Sequence, residues 1–153
     1  MGKQPTVSDL EDHLGYQLRR VSNQVSGSFA RALQGEGLSV AEWVALRRLL
    51  AFSGMTAGQL AQAAGLTRGA MSKVLEKLES KALIGRSGDP RDSRIQCLAL
   101  TRKGAGLLPR LAALADANDE HFFGCLDAEE HAALAALLRK LTEFHQLRGV
   151  PTD

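Results

Sequence analysis

Two arginines, Arg91 and Arg94, stand in the polar run Gly88-Asp89-Pro90-Arg91-Asp92-Ser93-Arg94. Guanidinium groups this close together on a turn suit insertion beside a polyanion, where each can bridge phosphate oxygens. A second set lies just upstream: Thr56, Thr67, Arg68, Gly69, Ser72, Lys73 and Lys77. These are small, hydroxylic or cationic residues, the types that reach base edges and backbone in a major groove. Residues 68–103 hold nine Lys/Arg against four acids, while residues 104–153 hold four against eight. The whole chain is only +2, so the signal lies in the distribution and not in the total. A basic segment beside an acidic one is the footprint of a duplex-binding face.

The elements that must position these side chains are legible from caps and periodicity. Thr56 with Gln59 forms a capping box, Leu60, Ala61 and Ala64 give an apolar face, and Gly65 ends that helix. Thr67 caps a second helix, whose Met71, Val74, Leu75 and Leu78 fall at i, i+3, i+4 and i+7. At about 100° per residue, its opposite face carries Gly69, Ser72, Lys73, Glu76 and Ser80, with Arg68 and Lys77 at the margins. Leu83-Ile84 and Ile95 to Leu100 then flank the arginine-bearing tip as a β-hairpin, with Gly-Asp-Pro marking its turn. Alternation at Ile95, Cys97 and Ala99 reads as a strand, in which Cys97 is expected to be a small buried hydrophobe. Helix, turn, helix and basic hairpin together make a winged helix-turn-helix. The competing reading, a helical hairpin followed by a solvated loop, leaves the coincidence of turn glycine, capped second helix and basic wing unexplained.

Capping signals also divide the remainder. Ser8-x-x-Glu11 opens a long first helix with Leu10, Leu14, Leu18, Val21, Val25 and Phe29 along it, ending near Gly35-Glu-Gly37. Ser39-x-x-Glu42 opens the next, which stops at Ser53-Gly54. After the wing, Thr101 caps a fifth helix to about Phe123, in which Pro109 predicts a kink or a regular start only near Leu108. Asp127-x-x-Glu130 starts a sixth running through Leu147. The expected fold class is mainly α: six helices plus a β-hairpin wing, with N- and C-terminal dimerisation helices around the winged helix-turn-helix. Residues 1–37 and 105–153 form the dimerisation region, and residues 38–104 the DNA-binding lobe. The lobe cannot cover two further amphipathic helices, so Leu10, Leu14, Leu134, Leu137, Leu138, Leu141 and Phe144 are expected to pack against a second copy. A two-fold dimer matches a near-palindromic duplex.

Other chemistry finds less support. The four histidines show no His-x-x-x-His spacing and the two cysteines no Cys-x-x-Cys, so neither a metal nor another cofactor is expected. No phosphate-binding glycine loop or Gly-x-Ser-x-Gly is present, so the chain does not read as an enzyme. Two cysteines in 153 residues make no disulfide framework, and Met-Gly-Lys-Gln-Pro lacks the apolar core of a signal peptide. A cytoplasmic location is expected, and no acylation anchor is assigned to Met1-Gly2 because no polybasic patch follows. For a small-molecule effector, His13, Tyr16 and Arg20 on the first helix, with Trp43 and Arg47 on the second, offer aromatic walls and a cationic hook for an aromatic or phenolic ligand. Two alternatives stand beside this: a redox response through Cys125, and a winged-helix module that binds protein.

The run Asp89-Pro-Arg-Asp92-Ser-Arg94, followed by Leu100-Thr101-Arg-Lys-Gly104, resembles the wing signature of the MarR family of regulators. The order of six helices, with the wing between the fourth and fifth, resembles that family as well, over roughly Leu10 to Leu147. The resemblance implies that Asp92 braces the wing and Arg94 enters the minor groove, with Thr67, Arg68, Ser72 and Lys73 facing the major groove. It also implies a triangular homodimer acting as a repressor, with ligands in a crevice between the dimerisation helices and the DNA-binding lobe. The chain departs from the hydroperoxide-sensing members, since residues 8–34 contain no cysteine.

Overall fold

Side-chain caps set most of the element boundaries. In the computed structural model, which describes residues 7–149, Ser39 and Glu42 form a reciprocal capping box at the start of α2 (Val40–Ala51), and Thr56 and Gln59 do the same for α3 (Ala57–Ala64). Each box satisfies two backbone donors that the first turn would leave orphaned. Gly65 closes α3 at φ 68°, a left-handed conformation that costs a glycine nothing. Thr67 caps α4 (Arg68–Ser80), Thr101 caps α5 (Arg102–Phe123), and Asp127 with Glu130 boxes the start of α6 (Ala128–Phe144). The antiparallel strands β1 (Ile84–Gly88) and β2 (Gln96–Leu100) form the hairpin, with Ile84 opposite Leu100 and Gly88 opposite Gln96. The expected architecture, six helices and a wing between the fourth and fifth, is the observed one.

Four local expectations need correction. The first helix, α1 (Leu14–Gly35), begins six residues after Ser8: a 3-10 turn over Leu10–Asp12 comes first, and Ser8 Oγ meets His13 Nε2 at 3.2 Å instead of capping. α6 ends at Phe144, where Gln146 turns to φ 52° and the Leu147 N–H bonds back to the Thr142 carbonyl, so Leu147 lies outside the helix. Pro109 sits inside an α5 that is helical from Arg102 onward. It is exposed, the preceding turn is Gly104-Ala105-Gly106, and the Ala105 carbonyl that loses its donor belongs to an exposed residue. In the hairpin it is Leu98 that is fully buried, while Ile95 is 42% exposed and Cys97 only half-buried. Apolar residues occupy both faces of that strand, and the core takes the face bearing Leu98.

The core draws on Leu33 of α1, Leu46 and Leu49 of α2, Leu60 of α3, Met71, Leu75 and Leu78 of α4, Leu98 of β2 and Leu111 of α5, all within 2% of complete burial. β2 gains a second neighbour from the loop before α3: the Leu98 N–H donates to the Met55 carbonyl at 2.8 Å, and the Gly54 N–H to the Leu98 carbonyl at 3.1 Å. This bridge ties the wing to the first helix of the helix-turn-helix. Outside the core, α6 buries none of its residues. No helix among the described residues is long and apolar enough to cross a membrane. The Met1-Gly2 start lies outside the described residues.

Where α4 ends, the chain reverses under α5. Ala82 takes φ 56° without being glycine, and the next residue, Leu83, lies so close to Gly104 that a Cβ there would overlap its carbonyl oxygen. Thr101 supports the crossing twice, accepting from the Gly104 N–H at 3.0 Å and donating its hydroxyl to the Ala82 carbonyl at 2.6 Å. Two substitutions should therefore move stability in opposite directions. Gly104→Ala should destabilise by about 1–3 kcal/mol through overpacking against backbone. Ala82→Gly should stabilise by about 1 kcal/mol through relief of the left-handed strain, raising the midpoint by roughly 2–4 °C. Denaturant melts of both variants check the signs.

Candidate nucleic-acid interface

The second helix of the helix-turn-helix turns a polar face outward. Met71, Leu75 and Leu78 are buried and Val74 half-buried, whereas Arg68, Gly69, Ser72, Lys73, Glu76, Lys77 and Ser80 are exposed. Gly69 and Ser72 keep part of the first two turns of that face small between Arg68 and Lys73, so a duplex could approach the α4 backbone closely there. Thr67 Oγ1 is engaged with the Ala70 N–H at 3.1 Å, and Ser72 Oγ donates to the Arg68 carbonyl at 3.0 Å. Thr56 is half-buried and its oxygen accepts from the Gln59 N–H at 3.2 Å, so its first duty is the cap of α3.

The wing tip is built on two aspartates. Asp89 Oδ1 accepts from the Arg91 N–H at 2.7 Å, and the Asp89 N–H closes the tip onto the Ile95 carbonyl at 2.8 Å. Asp92 accepts the Arg94 backbone N–H at 3.0 Å and grips the Arg94 guanidinium through Nε and Nη2, both at 2.9 Å. That bidentate pair holds the Arg94 side chain in one orientation while leaving it 88% exposed, with its other donors open. The guanidinium, and then the backbone N–H of the same residue, hold the Asp92 carboxyl below its ordinary 3.8, and the carboxylate in turn raises the arginine.

Sequence reasoning missed the contacts that orient these parts. Arg86 Nε on β1 pairs with Glu79 Oε1 on α4 at 2.7 Å, fixing wing to helix. Arg110 of α5 pairs with Glu36 at 2.8 Å, and Asn118 Nδ2 donates to the Val25 carbonyl at 3.1 Å, fixing α5 along α1. The partners of Arg110 and Asn118 are far away in sequence, and Glu79 lies only seven residues from Arg86 but in a different element, so no local pattern distinguishes these residues.

The expected effector set is not gathered in one place within a chain. Trp43 is half-buried edge-on to Phe29 at 5.9 Å, with the Arg47 guanidinium 5.6 Å from its ring centre. Tyr16 and Arg20 form their own cation–π pair at 5.8 Å. They lie 13 and 9 residues before Phe29 on α1, roughly 20 and 14 Å at about 1.5 Å per residue. His13 is engaged with Ser8 at the helix start. Cys125 is exposed, as expected of a residue in the turn before α6.

Comparison with known proteins agrees with this geometry. A sequence model of the MarR family matches residues 36–95. The HTH-type transcriptional repressor Rv2887 of Mycobacterium tuberculosis is 33% identical over 128 residues, spanning 84% of this chain and 92% of that one. A solved structure of Rv2887 in complex with DNA superposes with a TM-score of 0.72 at 32% identity, covering 84% of this chain and 97% of that one. Bordetella bronchiseptica BpsR, in a structure addressing regulation of its DNA binding by 6-hydroxynicotinic acid, gives a TM-score of 0.76 at 25% identity, covering 90% and 98%.

The Asp92 clamp has a defined pH response. Its folded carboxyl is held low, so the contribution is present above the unfolded value and is lost as pH falls through the lowered one. The Arg94 amide resonance should stay constant through the neutral range and titrate with a midpoint below the ordinary carboxylate value. Asp92→Asn should abolish that acid titration while leaving the melting temperature within about 2 °C, as expected of an exposed pair.

Proposed function

The chain belongs to the MarR family of winged-helix transcriptional regulators, and we propose that it binds a near-palindromic operator as a homodimer, acting as a repressor that a small aromatic acid releases. The observation that carries the DNA-binding part is the juxtaposition of the exposed polar face of α4 with a braced, arginine-tipped wing. In this reading α4 lies in the major groove with Thr67, Arg68, Gly69, Ser72, Lys73 and Lys77 toward bases and phosphates, and Thr56 opens the helix beside it. Arg91 and Arg94 follow the backbone into the neighbouring minor groove, where a narrow groove favours an arginine.

The dimer reading rests on apolar surface that one chain leaves open. Leu14, Leu137, Leu141 and Phe144 are each at least half exposed, and Leu10 lies on the same terminal region at 55%. A groove of about 760 Å³ between α1 and α6 is lined by Leu14, Leu18, Val21, Leu134, Leu138 and Leu141 among others. Contiguous apolar surface of this kind marks an interface, and a second copy of the same two helices is its natural complement. Residues 1–37 and 105–153 then serve dimerisation and 38–104 the DNA, with the operator placing the protein in the cytoplasm. For the effector, the half-buried Trp43 against Phe29, with Arg47 over its outer side, offers a stacking surface beside a cation. Tyr16 and Arg20 would have to come from elsewhere in the dimer to join it.

Gel shifts with genomic fragments and light scattering test the core of the reading. Ser72→Glu and Lys73→Glu should each cost about 10- to 100-fold in specific affinity without lowering the melting temperature, since neither side chain is buried. Arg94→Ala should make the salt dependence shallower by about one unit. A monomer with no preference over random duplex would overturn the reading. Salicylate or 6-hydroxynicotinate should lower operator affinity and quench Trp43, the single tryptophan. Release by peroxide that disappears in Cys125→Ser, with no response to either acid, would instead assign regulation to the thiol.

A further inference from the structure

The recognition helix is held to the dimerisation helices at one small joint, and its cation lies outside the DNA-facing surface. Lys81, the residue capping the end of α4, extends its ammonium to the corner between α1 and α2. There Nζ donates to the Gly37 carbonyl at 2.7 Å and to Glu42 Oε1 at 2.5 Å. Glu42 is only 2% exposed, and its second oxygen accepts the Ser39 N–H at 2.7 Å, completing the cap of α2. From the other side, the first turn of α5 closes on the same segment: Lys103 Nζ donates to the Lys81 carbonyl at 2.9 Å, Thr101 to Ala82, and Gly104 packs on Leu83. The loop that leaves α1, the first turn of α2 and the N-terminal end of α5 thus meet on three consecutive residues that follow the recognition helix.

We infer that Lys81 is a positioning residue that sets the angle between α4 and the dimerisation helices, and through it the half-site spacing the protein accepts. The inference rests on the reading of the protein as a dimeric operator-binding regulator. Hydrophobic packing alone would hold the lobe together, but it is non-directional and tolerates sliding. A buried carboxylate with one lysine partner is directional, and its best-attested use is to fix register, not to add stability. The joint matters because one base pair added between half-sites displaces them by about 3.4 Å and rotates them by roughly 35°. A fixed joint penalises that change, and a loose one adapts to it.

The test uses the full-length protein and duplexes carrying the half-sites footprinted with wild type, at the native spacing and with one base pair inserted or deleted. Lys81→Met alone strands the buried Glu42 carboxylate and can fail by unfolding. The informative variant is the double substitution E42Q/K81M, which removes both charges. Its side-chain amide oxygen at position 42 can still accept the Ser39 N–H, so the cap of α2 is kept. Lys81→Arg is the conservative rescue. Wild type should lose about tenfold in affinity on each altered duplex. E42Q/K81M, with wild-type circular dichroism and dimer mass, should lose less than about threefold, and Lys81→Arg should restore the wild-type discrimination. A folded, dimeric E42Q/K81M that still discriminates spacing tenfold overturns the inference and leaves the regulator reading intact. A wild-type protein with no operator preference overturns both.

Discussion

The reversal of the chain at Lys81-Ala82-Leu83 is the constraint from which the arrangement of the DNA-facing parts follows. The chain must leave α4, turn sharply enough to enter β1, and do so beneath the first turn of α5. Only a left-handed residue permits the turn, and only a residue without a Cβ permits the approach of α5. Once the crossing is made, Thr101 caps α5 and holds the Ala82 carbonyl with the same hydroxyl. The direction of α4, the start of the wing and the departure of α5 are settled together.

Around that crossing the molecule divides its energetics. The leucines of α2, α3 and α4, with Leu98 and Leu111, form a dry core that stabilises the lobe without specifying a unique orientation for its parts. Orientation comes from a few polar links set at the edges: Arg86 to Glu79, Arg110 to Glu36, and Lys81 to Glu42. Exposed pairs such as the first contribute little to stability. Their contribution is geometric, because each joins elements that the core contacts but does not aim.

What could be read in the sequence was what is decided locally. Ser39, Thr56, Thr67, Thr101 and Asp127 announce their helices because a cap is a contact over three residues. Ser8 carries the same pattern but takes His13 as partner, and no packing rewards an earlier helix start where every residue from 7 to 15 is exposed. The wing strand was legible as a strand, while its inner face was not: Ile95, Cys97 and Ala99 alternate as well as Leu98 and Leu100, and the bridge to Met55 decides between them. The candidate DNA-facing residues of α4 follow from the helix period alone. For the effector candidates the period says only that Tyr16 and Arg20 share a face of α1, whereas the place where Trp43 of α2 packs, beside Phe29, is set by tertiary contact. The α4–α5 joint depends on contacts across some twenty to forty positions and left no mark in the local pattern.

The bare surface of α6 ties the life of the polypeptide to its abundance. None of the 17 residues of α6 is fully buried in its own chain, and a helix so lightly covered is marginal in water, so in the proposed dimer its order comes from association. Association follows mass action, and every unpaired chain presents Leu137, Leu141 and Phe144 to proteases and chaperones. On the dimer reading, chains too dilute to pair are the ones open to clearance, and paired chains are the ones that persist. On that reading turnover would act as a threshold on abundance, with paired copies outlasting single ones.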